Sequence, residues 1–197
     1  GPGIMDLNGG IITAESGAWT VEESAVWELA GATLFCPQSG TLTLSPASGG
    51  SLRWTGGRIH GSLTLPAGVT LNMPAGGSPK YLGASGASGT IHNSGTLVWA
   101  SDYPILGRGD AGATINNLAT GVFDIARNGD PLDYEASTSQ LTFNNAGRVV
   151  KSAGSNTSGL FNYWAFTNET GAVIHNNIAS SRLQRNSSAA TLWKAGS

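Results

Sequence analysis

The stretch TIHNSGTLVW at 90–99 comes back along the chain as TINNLATGVFDI, LTFNNAGRVVK and WAFTNETGAVIHN. Each copy sets apolar residues among polar ones, then an Asn, a Gly within four residues, and a second apolar alternation. Asn93, Asn117, Asn145 and Asn168 fall in register at slightly uneven intervals, and Gly95, Gly121, Gly147 and Gly171 close the four motifs. A period of about 24 residues means a unit too small to close its own core, which must therefore stack on its neighbours.

Leucine-rich repeats have this length but need a leucine-spaced helical segment in each copy. Thr90-Ile91-His92, Leu97-Val98-Trp99, Thr142-Phe143 and Val149-Val150-Lys151 are instead short β-branched or aromatic runs bounded by Gly, Asn and Ser, the signature of strands. Short strands at a fixed period, joined by turns too brief for helical crossovers, predict an all-β chain wound into a single right-handed parallel β-helix. About eight coils at a rise of about 4.8 Å each would give a rod on the order of 40 Å long. The recurring Asn and Gly mark the corner between two faces, where a left-handed backbone is expected. Stacked Asn side chains can bond to one another as a ladder that satisfies their buried amides.

Residues 40–77 follow the same rule more loosely. Leu42, Leu44, Leu52, Trp54, Ile59, Leu63, Leu65, Val69, Leu71 and Met73 alternate with polar residues, and turns are expected at 45–50, 56–57 and 74–78. Upstream, TVEESAVWELAGA at 20–32 admits two readings. Thr20 and Glu23 stand at capping-box spacing with Gly31 as a stop, which suggests a short N-terminal cap helix; the alternation of Trp19, Val21, Val26 and Leu29 suggests a pair of strands. The expected organisation is a cloning remnant plus capping or first-coil region at 1–39, then a repeat array over 40–197. The array is expected to break off within a further coil, because TLWKAGS at 191–197 echoes RVVKSAGS at 148–155.

Composition narrows the function classes. Only 11% of residues are charged and 29 are Gly, against typical shares of about 25% and about 7%. A formal charge of −2 with no dense Lys or Arg cluster argues against holding a nucleic-acid backbone. Apolar runs such as AVWELAGATLFC at 25–36 are broken well short of the roughly 20 residues of a membrane helix, so membrane insertion is not expected. A single cysteine, Cys36, rules out an internal disulfide and a thiolate zinc site, and reads as a small buried hydrophobe.

The segments SLRWTGGRIHGSLTLPAGVTLNM, GTIHNSGTLVW, GATINNLATGVFDI and LTFNNAGRVVKSAG, with FTNETGAVI beyond them, together resemble a repeat of large secreted or surface-exposed bacterial proteins. That repeat runs Leu-x-Trp-x-Gly-Gly, then Asn-Asn-x-Gly, then a Phe-Asn-Asn-x-Gly segment ending in Lys-x-x-Gly. The similarity covers roughly residues 40–176. It implies a β-solenoid stalk or adhesin-like surface, secreted or on the cell surface, beside adhesion or carbohydrate-binding modules, with glycans, host or cell-surface proteins and adjacent repeats of the parent chain as partners. It carries over no catalytic residue.

Several constellations invite a function. Tyr103, Tyr134 and Tyr163 lie in loop sequence flanked by Asn and Asp, where rings could stack on sugars while amides bind hydroxyls. Asn128, Asp130, Asp133 and Glu135 could offer oxygen ligands to Ca²⁺, but their spacing is that of neither an EF-hand nor a calcium-binding nonapeptide, and a solvated loop is the favoured explanation. Asp102, Asp110, Asp124, Asp130, Arg108, Arg127 and Arg148 could converge on one face as in β-helical polysaccharide lyases. Arg108–Gly109–Asp110 spells an integrin tripeptide but also fits the turn before GATINN. His60, His92 and His175 are scattered, and Asn156, Asn168 and Asn186 match a glycosylation pattern that is common in Ser- and Asn-rich sequence.

Overall fold

A computed structural model describes every residue except 1–3, 15–16, 22–24, 37–41, 47–50, 109–110, 137–140, 156–157, 161–162, 179–182, 186–190 and 194–197. The chain is all-β, with no helix among the described residues, and every pair of named strands is parallel. It forms a β-solenoid of about six turns, against the eight coils expected. Each turn visits three sides. The first side is an eight-stranded sheet running from Ile4–Leu7 to Val173–Asn176; the second and third merge into a thirteen-stranded sheet because the strand Gly57–Leu65 serves both. This strand bends at Gly61, where φ is +73° and a Cβ would lie 2.1 Å from the Cys36 carbonyl oxygen.

On the first side the register is regular. Thr70 pairs with Thr96, Thr96 with Val122 and Val122 with Arg148, the same step along the chain each time. Inward residues are mostly apolar on all three sides, and all ten alternating residues singled out between Leu42 and Met73 are buried. Trp54, Trp99, Trp164 and Cys36 are buried as well, and burial pushes the Cys36 thiol up to about 12. The cap-helix reading of 20–32 is overturned: Gly17–Val21 and Val26–Leu29 are strands, the latter pairing with both Ile4–Leu7 and Ser51–Trp54, while Glu23 lies outside the described residues. A helix there would leave the backbone groups of two adjoining turns without partners.

The corner from the third side to the first holds the Asn ladder. Asn93, Asn117, Asn145 and Asn168 are buried. The amide of each of the first three donates to the side-chain oxygen of the next at 2.7–2.8 Å, and Asn93 and Asn117 also donate to the carbonyls of Val122 and Arg148. The expected left-handed backbone is absent: neither these Asn nor Gly95, Gly121 and Gly147 has positive φ. Glycine is required because successive turns touch there. A Cβ would lie 2.1 Å from the Val69 oxygen at Gly95, 2.2 Å from the Asn93 oxygen at Gly121, and 2.3 Å from the Gly121 oxygen at Gly147. Gly171 does adopt φ +82°, but it sits in a turn, and Ala172 takes the equivalent corner position before Val173.

These corners alternate in width. Two residues separate Asn93 from Thr96 and Asn145 from Arg148, whereas four separate Asn117 from Val122 and Asn168 from Val173. The wide corners close with turn hydrogen bonds from Gly121 N–H to the Leu118 carbonyl and from Ala172 N–H to that of Glu169. Alternate widths account for the uneven Asn spacing over an even register on the first side.

Two lysines are interior. Lys80 Nζ donates to the carbonyls of Thr55 and Ser78 and to Ser101 Oγ at 2.7–3.3 Å, and Lys151 Nζ to those of Arg127 and Ala153 at 2.9 Å. Each fastens the corner between the first and second sides. Burial draws the Lys80 ammonium down to about 8 against the opposing pull of Asp102.

Asn117→Leu should cost about 3 kcal/mol in urea unfolding, because it strands the Asn93 amide and the Asn145 oxygen in a dry corner. Gly147→Ala should cost about 2 kcal/mol through backbone contact, whereas Gly171→Ala, with open space around its Cβ, should cost about 1 kcal/mol from φ alone. Equal effects at the two glycines would refute the steric explanation.

Candidate functional site

The second side carries a cluster of charged and aromatic groups that reach solvent in part. Its strand Leu132–Ala136 follows Pro131 and pairs with Ile105–Arg108 through a register shift: Gly107 faces Tyr134, but Arg108 faces Ala136. The extra residue is a bulge, a device that re-aims side chains. Tyr134 is 37% exposed, and the flanking Asp133 and Glu135 are half-buried.

Glu135 is held by two arginines. Both terminal nitrogens of the Arg58 guanidinium donate to its carboxylate at 2.8 Å, and Arg108 lies 3.4 Å away. Arg58 also donates to the Gly83 carbonyl and stacks 4.2 Å over the Tyr81 ring. Because Arg58, Tyr81, Arg108 and Glu135 belong to four successive turns, the network ties those turns together. The hydrogen bonds from Arg58 hold the Glu135 carboxyl below its ordinary range. Burial pushes Asp133 the other way, reinforced by the charge of Asp130 and opposed by the Tyr134 N–H bond.

From the next turn comes Tyr163, 46% exposed, with its ring centroid 4.2 Å from that of Tyr134 at an interplanar angle of 61°. Trp164 behind it is fully buried, and its indole N–H donates to the Asp133 carbonyl at 2.8 Å. Gly107 makes room for that indole: a Cβ there would lie 2.7 Å from Trp164 Cζ2. Tyr134 and Tyr163, two of the three sugar-stacking candidates, thus form a pair. Tyr103, 40% exposed, stands on the corner between the first and second sides, where its carbonyl accepts from the Trp99 indole.

The carboxylates that could have offered ligands to Ca²⁺ are not gathered at one point. Asn128 and Asp130 precede the strand in the corner, Asp133 accepts from the Tyr134 backbone, and Glu135 is turned into its arginine clamp. No three His, Cys, Asp or Glu side chains among the described residues are placed to hold a metal ion. The lyase-like set is also dispersed. Asp102 pairs with Arg127 at a corner and accepts from Gly76 N–H, Arg108 joins Glu135 on the second side, and Asp124 and Arg148 lie on the first. Gly109 and Asp110 of the Arg-Gly-Asp sequence lie outside the described residues, as do Asn156 and Asn186. His92 bonds Asn116 in a second, partly exposed row that continues to Asn144.

Sequence reasoning missed the burial of His60 and the Arg58–Glu135 clamp. His60 lies edge-on against Phe35 with centroids 4.3 Å apart, and neither ring nitrogen has a hydrogen-bond partner among the described residues. In the strand GRIHGSLTL it stands among polar Arg58, Ser62 and Thr64, so nothing in the sequence marks it as buried. On the first side, Ser51, Arg53, Asn72, Pro74, Val98 and Ala100 border an open groove of about 360 Å³.

Burial holds the His60 pKa below 6.5, helped by Arg58 and opposed by Glu135. The unfolded chain therefore gains this proton first as pH falls, and stability should drop progressively below about pH 6.5. His60→Phe should raise unfolding free energy at neutral pH and reduce the loss between about pH 6.5 and 5. An unchanged acid dependence in urea titrations would show that another group sets it.

Comparison with protein-family models, with curated proteins and with solved structures finds no match for this chain.

Proposed function

We propose that this chain is a segment of a larger secreted or cell-surface bacterial protein, a right-handed β-helix serving as a rigid stalk or interaction surface. The observation that carries this is the unbroken vertical register. Strands on the first side repeat at a constant interval over consecutive turns, and the Asn ladder runs inside the adjoining corner without a break from Asn93 to Asn168. Such a stack resists bending because tilting one turn strains many parallel hydrogen bonds together. Right-handed winding follows the preference of parallel strand connections, and with its end turns counted the array would have about eight coils. The resemblance of residues 40–176 to repeats of bacterial surface proteins supplies the setting.

A side exposed along a rigid array can present the same surface to glycans, host proteins or neighbouring cells. The acidic and basic groups that a polysaccharide lyase would gather at one point stand instead as separate ion pairs, Asp102 with Arg127 and Arg108 with Glu135, with Asp124 and Arg148 on another side, so a scaffold is favoured over an enzyme.

An antibody against this chain should label intact cells of the source organism or detect the protein in the culture medium, and brief protease treatment of intact cells should remove the surface signal. Recovery only from the cytosolic fraction would overturn the proposal.

A further inference from the structure

Tyr163 has φ +61°, the only positive value among the described non-glycine residues. For a bulky side chain this conformation costs about 1–3 kcal/mol, and residues held so tend to gather at binding sites. The neighbouring Trp164 anchors the segment, fully buried and bonded to the Asp133 carbonyl in the space that Gly107 leaves free. The strained residue itself is only about half buried. Its ring stays outside, 46% exposed, against the 37% exposed ring of Tyr134.

We propose that Tyr134 and Tyr163 are a preorganised platform for a neutral polysaccharide, contacting the C–H faces of pyranose rings. This deepens, and rests on, the interpretation of the solenoid as an exposed interaction surface. Aromatic faces carry negative charge density and attract the polarised C–H groups of a sugar. Two rings inclined at 61° cannot lie flat on one plane, so they hold a sugar in the angle between them or touch consecutive sugars of a chain. Neighbouring charge selects the class. The basic groups that could recognise a uronate, Arg58 and Arg108, are already engaged by Glu135. Asp133 beside Tyr134 presents an acceptor for hydroxyls and repels a carboxylate. Residues fixed before binding lose less entropy on association, which explains why a strained, anchored ring would serve better than a mobile one.

Saturation-transfer NMR with the intact chain tests this, using gluco-, manno- and xylo-configured hexasaccharides, with polygalacturonate as the charged counterpart. At least one neutral hexasaccharide should receive saturation at its ring C–H protons. Tyr134→Ala and Tyr163→Ala should each weaken that binding about tenfold, the scale of one lost stacking contact. Tyr163→Gly, which accepts the positive φ, should weaken it equally without lowering the thermal midpoint. The platform is refuted by no transfer to any neutral hexasaccharide at millimolar concentration, by undiminished binding in both alanine variants, by binding confined to polygalacturonate, or by a lowered midpoint in Tyr163→Gly. None of these results bears on whether antibody labels intact cells, so scaffold and platform can fail separately.

Discussion

Each residue in this chain must tolerate its own counterpart one turn above and one turn below, about 4.8 Å away. Most of the composition follows from that constraint. Asn can stack on Asn because its amide both donates and accepts, and the bonds from Asn93 to Asn168 use that property at each step. Like charges cannot stack without cost, so a stacked chain suppresses charge, here to 11%. The outward row Asp6, Glu28, Arg53, Asn72, Val98, Asp124 shows the outcome with one exception: Arg53 pairs with Glu28 at 3.4 Å and neutral residues set Asp124 apart, while Asp6 stacks on Glu28 only at the exposed N-terminal end.

The parts of the fold legible in the sequence were those that repeat. Period, inward residues and ladder could be read because each occurs several times in equivalent places. What happens once was hidden. TVEESAVWELAGA fits a helix and a strand pair equally on local preference, and only the adjoining turns decide for strands. Gly95, Gly121 and Gly147 stand at corners for another reason than the one expected, since a backbone oxygen of the preceding turn excludes a side chain there; only Gly171 has the left-handed φ, and it lies one residue before the equivalent corner position. Lys80 and Lys151 had no readable signal because each joins a carbonyl two residues away, Ser78 or Ala153, to one from the preceding turn, Thr55 or Arg127, which only the folded stack brings near.

The candidate site shows the same division. Tyr134 and Tyr163 were singled out separately although they stand one turn apart; what the sequence hides is the register shift beside Gly107 and the anchoring of Trp164, which set the two rings against each other. Glu135 was grouped with its sequence neighbours Asp130 and Asp133 as an ion ligand. Its true partner, Arg58, lies 77 residues away in sequence and three turns away in space. In a solenoid, chemistry is shared between turns, so clusters of adjacent residues mislead more than they do in a helix.

The alternation of wide and narrow corners carries a genetic consequence. Thr70 and Val122 are two turns apart, and both follow wide corners, as does Val173 a further two turns on. The narrow corners at Gly95 and Gly147 nest against the carbonyls of the wide ones before them. Duplication or loss of one turn would set two corners of the same kind against each other, while an event spanning two turns preserves the nesting. Arrays of this kind are therefore expected to lengthen and shorten across strains in paired increments, with odd numbers of inserted turns selected against.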